Sequence, residues 1–274
     1  MDGVTLYSYI LSLQSHGQIV FSDREATETL GMGRGAFLDA AERLQQRKHL
    51  LRLRPGFYVI IPPSFRALGA PPPSFYIDDL MRHEGYPPYY VGLLKAAELH
   101  GATHQAIMQF QVITDKRLPE INAGRSTLSF LFRKDMQFLE PGITSMKTET
   151  DSMRVSSIEL TILDLLRYSH ASAGLSHVVT VLSDLGDRID APKLGVLSQF
   201  FERSVCQRLG YLLDDLGFTD RTEFLFKTLE EHYTSLRWIE LDPGENSHPD
   251  FVVPPLERNS KWYVVVRKKP EIDE

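Results

Sequence analysis

Five basic side chains lie close together in the first quarter of this sequence, at a spacing that suits contact with a polyanion. They fall within 12 residues that contain no Asp or Glu: Arg43, Arg47, Lys48, Arg52 and Arg54. Guanidinium and ammonium groups are the usual protein partners of nucleic-acid phosphates. The cluster therefore predicts a negatively charged partner, and the elements that carry these residues indicate which kind.

Two of these arginines belong to a predicted β-ribbon. Leucine alternates with arginine in residues 51–54, so the side chains of Arg52 and Arg54 are expected together on the face opposite the leucines. Pro55-Gly56 supplies the dihedral angles of a type II turn. The stretch 57–61 is β-branched and aromatic, which predicts a returning strand.

Three predicted helices precede the ribbon. Residues 4–16 carry apolar side chains at helical spacing. Ser22 to Glu25 has the sequence of a capping box, which opens a short second helix. The third helix follows two glycines, and its apolar stripe comprises Phe37, Ala40, Ala41 and Leu44. Three helices with a tight turn, followed by a ribbon, predict a winged helix-turn-helix over residues 1–62.

In a winged helix-turn-helix the third helix enters the major groove, and its early outward residues face base edges. Arg34 is the candidate for a guanine contact, and Gly35 leaves room for the backbone to approach phosphate. The helix end and the ribbon suit phosphate or minor-groove contacts. The predicted DNA-binding residues are Ser22, Arg34, Gly35, Arg43, Arg47, Lys48, Arg52 and Arg54.

A second interpretation of this region stays open. Asp39 and Glu42 also face outward, where they can pair along the helix or accept from a cytosine amine, but would repel phosphate. A basic cluster at a helix C-terminus also complements the helix dipole, and a helical hairpin with a ribbon can serve as a protein interaction module.

Composition limits the class of protein. The 274 residues carry a formal net charge of −6, which argues against indiscriminate coating of nucleic acid. Residues 1–62 hold 7 Lys and Arg against 6 Asp and Glu, so the acidity belongs to the remainder. The single cysteine, Cys206, excludes an internal disulfide. With no apolar run near ~18 residues and no basic start of a signal peptide, a cytoplasmic protein without a membrane partner is expected.

The remainder of the chain predicts an α+β domain over residues 75–274, after a Pro-rich linker at 63–74. Helical patterns cover 75–83, Tyr89 to His100 and most of 157–216. Strand patterns cover 108–115, 126–133, parts of 143–156, 237–241 and 261–267. The predicted fold class is therefore α+β, with an N-terminal winged helix-turn-helix followed by a larger mixed α/β domain.

Motifs for catalysis are scarce. His100 and His104 have the i,i+4 spacing of two metal ligands, but Gly101 interrupts the helix. Pro249-Asp250 resembles the start of a nuclease motif, yet no acidic-x-Lys follows on a strand. Glu159 and Asp164 lie on a predicted core helix and are expected to be solvated. The sequence thus predicts no enzyme, no cofactor and no metal.

Several segments resemble the AbiEi antitoxin family of type IV toxin–antitoxin systems. They are G-F-Y-V-I-I-P-P from Gly56, Y-Y-V-G-L-L-K-A-A-E-L-H-G-A-T-H-Q from Tyr89, F-Q-V-I-T-D-K from Phe110, S-S-I-E-L-T-I-L-D-L-L-R-Y from Ser156 and R-L-G-Y-L-L-D-D-L-G from Arg208. They occur in the family's order between about residues 50 and 217.

The resemblance implies an antitoxin of an abortive-infection, phage-defence system. It implies an N-terminal winged helix that binds inverted repeats of double-stranded DNA in its own promoter and represses the operon. It also implies a C-terminal domain that counteracts a nucleotidyltransferase-type toxin without requiring a direct complex. The family pattern carries over to positions expected to be structural: Gly56, Tyr58, Gly92, His100 and Gly101.

Two other functions remain as alternatives. One is a nuclease or nucleotidyltransferase steered by the winged helix, which metal-dependent cleavage would reveal. The other is a transcriptional regulator whose α+β domain senses a small molecule, which thermal stabilisation by that ligand would reveal.

Overall fold

The computed structural model describes residues 5–102, 107–242 and 254–271. Its contacts divide the chain into two compact units. The first unit comprises 1–90, 108–134 and 145–154, and the second comprises 91–107, 135–144 and 155–274. This division differs from the predicted domain boundary after residue 62, which stays a prediction.

The first unit begins with the elements that carry the basic cluster. Their bounds are α1 Leu6–Ser15, β1 Val20–Ser22, α2 Asp23–Leu30, α3 Arg34–Gln46, β2 Leu50–Arg54 and β3 Phe57–Ile60. The three strands form an antiparallel sheet in the order β1-β3-β2. This order of helices and strands is compatible with the predicted winged helix-turn-helix.

Aromatic packing holds these N-terminal elements together. The Tyr58 ring stacks on Phe21 with 5.5 Å between ring centroids and meets Phe37 edge-on at 5.3 Å. All three side chains are buried, together with Leu6 and Ile10 of α1. Such ring pairs stabilise a core beyond the burial of their area. The third helix is therefore fixed against the ribbon that follows it.

The segment predicted as a linker, 63–74, contains short 3-10 turns, at Pro63–Phe65 and at the start of Pro73–Phe75. Ala70 is buried. Gly69 lies so close to Gly124 that a Cβ built on it would be 3.2 Å from the Gly124 Cα. Contacts of this kind fix the segment, beyond the stiffness that its prolines give it.

A six-stranded mixed sheet follows α4 Ile77–His83. Its strands are β4 Tyr89–Val91, β5 Gln109–Thr114, β6 Ile121–Ala123, β7 Ser126–Phe132, β8 Ile143–Lys147 and β9 Ser152–Ser156. The order is β6-β7-β5-β4-β9-β8. β5 runs parallel to β7 and β4 parallel to β9, whereas β6 is antiparallel to β7. The predicted strands at 108–115 and 126–133 are confirmed.

The predicted helix from Tyr89 is wrong at its start. Tyr89–Val91 is the buried strand β4, and helix α5 begins only at Leu93. Gly92 lies between them with extended backbone, at φ −136°. A short apolar run is compatible with either a buried strand or a buried helix, so periodicity alone could not place this boundary.

Helices dominate the second unit. They are α5 Leu93–Leu99, α6 Ile158–Arg167, α7 Leu175–Leu185, α8 Ala191–Ser198, α9 Arg203–Asp215 and α10 Glu223–His232. A small sheet near the C-terminus contains β10 Ile239–Glu240, β11 Glu257–Asn259 and β12 Val264–Val266, in the order β10-β12-β11. The predicted α+β fold class is confirmed. None of the helices in the described ranges combines the length and the apolar composition that a bilayer crossing requires.

Candidate nucleic-acid interface

The outer face of α3 carries the first group of predicted contact residues. Arg34, Gly35 and Arg43 are exposed on it, and so are the acidic Asp39 and Glu42. Three of the four residues of the predicted apolar stripe are buried. The amphipathic division of α3 therefore agrees with the prediction and leaves the predicted contact residues Arg34, Gly35 and Arg43 on its exposed surface.

The start of α3 opens onto a surface cavity. Gly33 is the N-cap residue and makes no side-chain cap, so no capping side chain competes for the first helix amides. The cavity has a volume of ≈ 480 Å³ and is lined by Asp23, Arg24, Thr27, Met32 and Arg34. Free amides and a positive guanidinium at a helix start favour an anionic group.

Tyr58 shows that the start of α3 and strand β2 lie near one another. Burial raises the pKa of the Tyr58 hydroxyl, and Asp23 raises it further, whereas the positive charges of Arg52 and Arg34 act in the lowering direction. Tyr58 lies opposite Arg52 in the ribbon, and its ring is 5.3 Å from that of Phe37 in the first turn of α3, so the two elements are neighbours. Arg34 and Arg52, which are 18 positions apart in the chain, belong to the same part of the surface.

Ser22 occupies the N-cap of α2 in the predicted capping box. Its hydroxyl accepts from the Glu25 amide at 3.1 Å, and the Glu25 carboxylate accepts from the Ser22 amide at 2.7 Å. The same hydroxyl donates to Glu25 Oε2 at 2.9 Å. The capping box is confirmed, and it occupies the group that a DNA contact by this side chain would use.

The end of α3 has the hydrogen bonds of a Schellman motif. Lys48 donates its amide to Gln45 O at 2.9 Å, and His49 donates to Leu44 O at 2.9 Å. Lys48 adopts a φ of +56°, a left-handed conformation that usually selects glycine. Arg47 and Lys48 are exposed there. Glycine would adopt this backbone conformation more easily but would carry no charge. The lysine at this position is therefore compatible with the predicted phosphate contact.

The two ribbon arginines do not share a face, contrary to the prediction. Arg52 lies opposite Tyr58 and Arg54 opposite Phe57, with a register shift at the residue between the two arginines. Because consecutive residues of a strand point to opposite faces, Tyr58 and Phe57 mark opposite faces of the ribbon. A β-bulge at Leu53 therefore turns Arg54 away from Arg52.

Arg54 is held inside the first unit. Its Nε donates to Glu84 Oε1 at 2.8 Å, and a terminal nitrogen donates to the Pro119 carbonyl at 2.5 Å. Lys116 also binds Glu84, with 3.2 Å between Nζ and Oε2. The side chains of Arg54 and Glu84 are only 14% and 15% exposed, whereas Arg52 is exposed. Sequence patterns gave no signal for this cluster because Glu84 and Lys116 are distant along the chain.

We expect Arg54→Ala to lower the free energy of unfolding by about 2 kcal/mol at pH 7, because it leaves a half-buried carboxylate with one cation fewer. Burial acts to raise the pKa of Glu84, but the hydrogen bonds and charges of Arg54 and Lys116 lower it overall. A carboxyl group with a lowered pKa stabilises the fold above its unfolded pKa, and loses this effect as pH falls through the folded value.

Chemical denaturation of Arg54→Ala, Glu84→Gln and the double variant measures this coupling, which is expected to decrease at acidic pH. The exposed Arg52→Ala is the matched control and should change stability by no more than about 0.5 kcal/mol. Equal effects of Arg54→Ala and Arg52→Ala on the free energy of unfolding would show that the ion pair between Arg54 and Glu84 does not stabilise the fold.

The second unit buries carboxylates that were expected to be solvated. Glu159 is 4% exposed and Asp164 is fully buried, so that prediction is wrong. Glu159 accepts from the Ser157 hydroxyl at 2.7 Å and from the Asp190 amide at 3.0 Å, and lies 3.4 Å from Lys193 Nζ. These partners compensate the buried charge and tie the start of α6 to the start of α8.

His100 ends helix α5 and has a structural partner. Its Nε2 lies 2.7 Å from the Ser156 carbonyl, and Gly101 follows with a φ of +83°. Burial and the charges of Arg188 and Lys193 lower the pKa of His100. The expected helix end is confirmed. His104 and Pro249-Asp250 lie outside the described residues, and the described ranges hold no group of three metal-ligating side chains.

Residues 90–215 match the family model of the AbiEi antitoxin C-terminal domain. This part of the chain is thus similar to the AbiEi antitoxin C-terminal domain. The match confirms the resemblance predicted from the sequence and supports an antitoxin role. Antitoxins of this family act against a toxin partner in general. The matched range runs from the middle of β4 to the end of α9.

A solved structure has a similar fold. It is the crystal structure of the RV2827C protein from Mycobacterium tuberculosis, with a TM-score of 0.68 and 16% sequence identity over 94% of this chain and 89% of that chain. At this identity the likeness concerns the fold alone. No curated protein is similar enough in sequence to count as a relative.

A residue beyond the matched range packs against its last helix. Trp262 is fully buried, and its ring packs against Gly210 of α9. Its Nε1 donates to Asp214 Oδ2 at 2.7 Å, while Gln207 Nε2 donates to the Trp262 carbonyl at 2.7 Å. Gln207, Gly210 and Asp214, on successive turns of α9, thus contact Trp262. Sequence reasoning missed the contact, although Gly210 stands in one of the segments that carry the family resemblance.

Proposed function

We propose that the protein is the DNA-binding antitoxin and autorepressor of a type IV toxin–antitoxin operon. In this proposal α3 and the ribbon bind inverted repeats in the operon's promoter, and the AbiEi domain counteracts a nucleotidyltransferase-type toxin encoded beside it. No stable complex with the toxin and no catalytic activity of this chain are required.

The observation that carries DNA binding is the exposed basic surface around α3 in an arrangement compatible with a winged helix. Its cations are Arg34, Arg43, Arg47, Lys48 and Arg52. Only Asp39 and Glu42 oppose them on the outer face of the helix. A local excess of positive charge on an acidic protein favours a defined site over indiscriminate binding.

The proposed contact set leaves out two residues of the sequence prediction. The Ser22 hydroxyl is engaged in its capping box, and the Arg54 guanidinium is engaged by Glu84 and Pro119. Within the remaining set, Arg34 is proposed to read a base and Arg52 to bind phosphate. Gly35 is proposed to let the backbone of α3 approach the DNA closely.

We expect Gly35→Ala to separate stability from DNA affinity. A Cβ at Gly35 meets no atom within 4 Å, and replacing an exposed helix glycine by alanine stabilises by about 0.5–1 kcal/mol. Thermal unfolding should therefore show a higher melting temperature. If phosphate approaches the backbone here, fluorescence anisotropy with promoter DNA should show weaker binding. Unchanged affinity would exclude close approach at Gly35.

A single co-expression experiment tests the two halves of the proposal. The full-length protein is produced with the neighbouring toxin gene, in cells that carry a reporter behind the operon's own promoter. The wild type should restore growth and repress the reporter. A variant with Arg34→Ala and Arg52→Ala should still restore growth but no longer repress. Loss of growth rescue in that variant, or no repression by the wild type, would contradict the proposal.

A further inference from the structure

A second candidate binding site lies in the second unit, far along the chain from the basic cluster. It is a cleft of ≈ 440 Å³ beside the end of α10 and the turn before β12. Its lining residues are Phe226, Glu230, Tyr233, Thr234, Ser235, Leu236, Ser260, Lys261 and Tyr263. The volume lies in the range of small-molecule sites.

Aromatic rings are the main apolar component of this cleft. Phe226, Tyr233 and Tyr263 are each half-buried, so part of each ring contacts solvent. Tyr263 also lies beside Trp238, with 5.2 Å between the ring centroids, and Trp238 is 46% exposed. Aromatic side chains that keep accessible faces at a cleft offer platforms for stacking a flat ligand.

Cations accompany the rings. Lys261 Nζ lies 2.6 Å from Asp214 Oδ2, 4.9 Å from the Trp262 ring centroid and 5.7 Å from that of Phe226, and its side chain is 40% exposed. The Arg203 guanidinium lies 5.5 Å from the Tyr233 ring, and its buried Nε has no hydrogen-bond partner. Glu230 is the one acidic residue in the lining. The site therefore combines stacking surfaces with one exposed ammonium group, Lys261, which is paired with Asp214.

The backbone at the cleft is strained. Tyr263 adopts a φ of +54°, which is unfavourable for a bulky aromatic residue. Strain of this kind tends to persist where the surrounding structure holds a side chain for a function. Glycine would adopt the same backbone without strain, so the tyrosine ring at this position has a conformational cost that a binding role would explain.

We propose that this cleft binds an unpaired nucleotide, with the base stacked on the tyrosine rings and the phosphate near the exposed ammonium group of Lys261. Stacking on aromatic rings beside cations is how proteins hold single-stranded nucleic acid. A paired duplex does not offer such a base, because both faces of its bases are already stacked. The ligand is thus a free nucleotide or an unpaired nucleotide of a strand, and differs from the duplex proposed for α3.

Intrinsic fluorescence of the full-length protein tests the proposal directly. The chain has two tryptophans, Trp238 and Trp262, and both adjoin residues of the cleft. A single-stranded RNA hexamer and free AMP are titrated separately. Saturable quenching by the hexamer alone would assign the site to a strand, and comparable quenching by AMP would assign it to free nucleotides. No saturable quenching by either probe would overturn the proposal.

Three variants test the cleft residues directly. Tyr233→Leu should weaken binding at least about tenfold, whereas the matched Tyr233→Phe keeps the ring and should bind within about twofold of the wild type. Tyr263→Gly removes a ring and relieves the backbone, so it should weaken binding without loss of thermal stability. Equal binding by Tyr233→Leu and Tyr233→Phe would overturn the stacking role.

Discussion

Replacing Arg34 and Arg52 together by alanine is expected to weaken binding to the operon's promoter DNA at least about tenfold near physiological salt. Arg34 lies at the start of α3 and Arg52 on the ribbon, and both are exposed. A side chain that reads a base contributes about 1–3 kcal/mol of discrimination, and a phosphate contact adds to affinity for every sequence.

The single variants Arg52→Ala and Arg34→Ala should change different properties of DNA binding. Arg52→Ala should weaken binding to all duplexes alike and reduce the slope of log K against log salt by about 1. Arg34→Ala should instead reduce the preference for the promoter over unrelated DNA. Anisotropy titrations at several salt concentrations, with both duplexes, measure these two effects.

Lys268→Ala is a suitable control, because Lys268 is an exposed cation of the second unit. It removes the same charge without touching α3 or the ribbon, and its affinity should match that of the wild type. An equal loss in Lys268→Ala and Arg52→Ala would show that net charge alone determines binding. Unchanged DNA affinity of the variant that carries both Arg34→Ala and Arg52→Ala would refute the proposed DNA interface.

Gly210→Ala is expected to lower the free energy of unfolding by about 3 kcal/mol, one of the largest effects in the chain. A Cβ at this position would lie 2.3 Å from two atoms of the Trp262 ring. The indole is fully buried, holds Asp214 through Nε1 and meets Phe226 edge-on at 5.2 Å. Neither the ring nor α9 can move away without breaking these contacts.

Denaturation of Gly210→Ala, Trp262→Leu and the double variant measures the clash. Trp262→Leu alone should destabilise by creating a cavity, but it also makes room for the new methyl group. The double variant should therefore be more stable than the sum of the two single effects predicts. Additive effects on the free energy of unfolding would show that the Trp262 ring and the methyl group introduced by Gly210→Ala do not compete for the same space.

The sequence determined much of the local structure around the basic cluster. The capping box at Ser22, the apolar stripe of α3 and the turn at Gly56 follow from short-range rules, since each depends on residues within a few positions. The family resemblance likewise rests on contiguous segments, and the match over 90–215 confirms it.

Contacts between distant residues decided the rest. The bulge at Leu53 placed Arg54 and Arg52 on opposite faces, and the Glu84 carboxylate and the Pro119 carbonyl then held Arg54. An alternating sequence predicts one face for both arginines, because a one-residue bulge leaves no mark in the pattern. Only the pairing of β2 with β3 shows which arginine is exposed.

The same limit applies to the second unit. Helical periodicity identified α6 as a core helix, yet the partners that allow Glu159 to be buried come from α8, about 30 residues later. Gly210 and Trp262 are separated by more than 50 residues. The sequence by itself determined most of the elements and the family resemblance, because these depend on neighbouring residues. The tertiary structure alone decided which charges are exposed, since burial depends on residues brought together by folding.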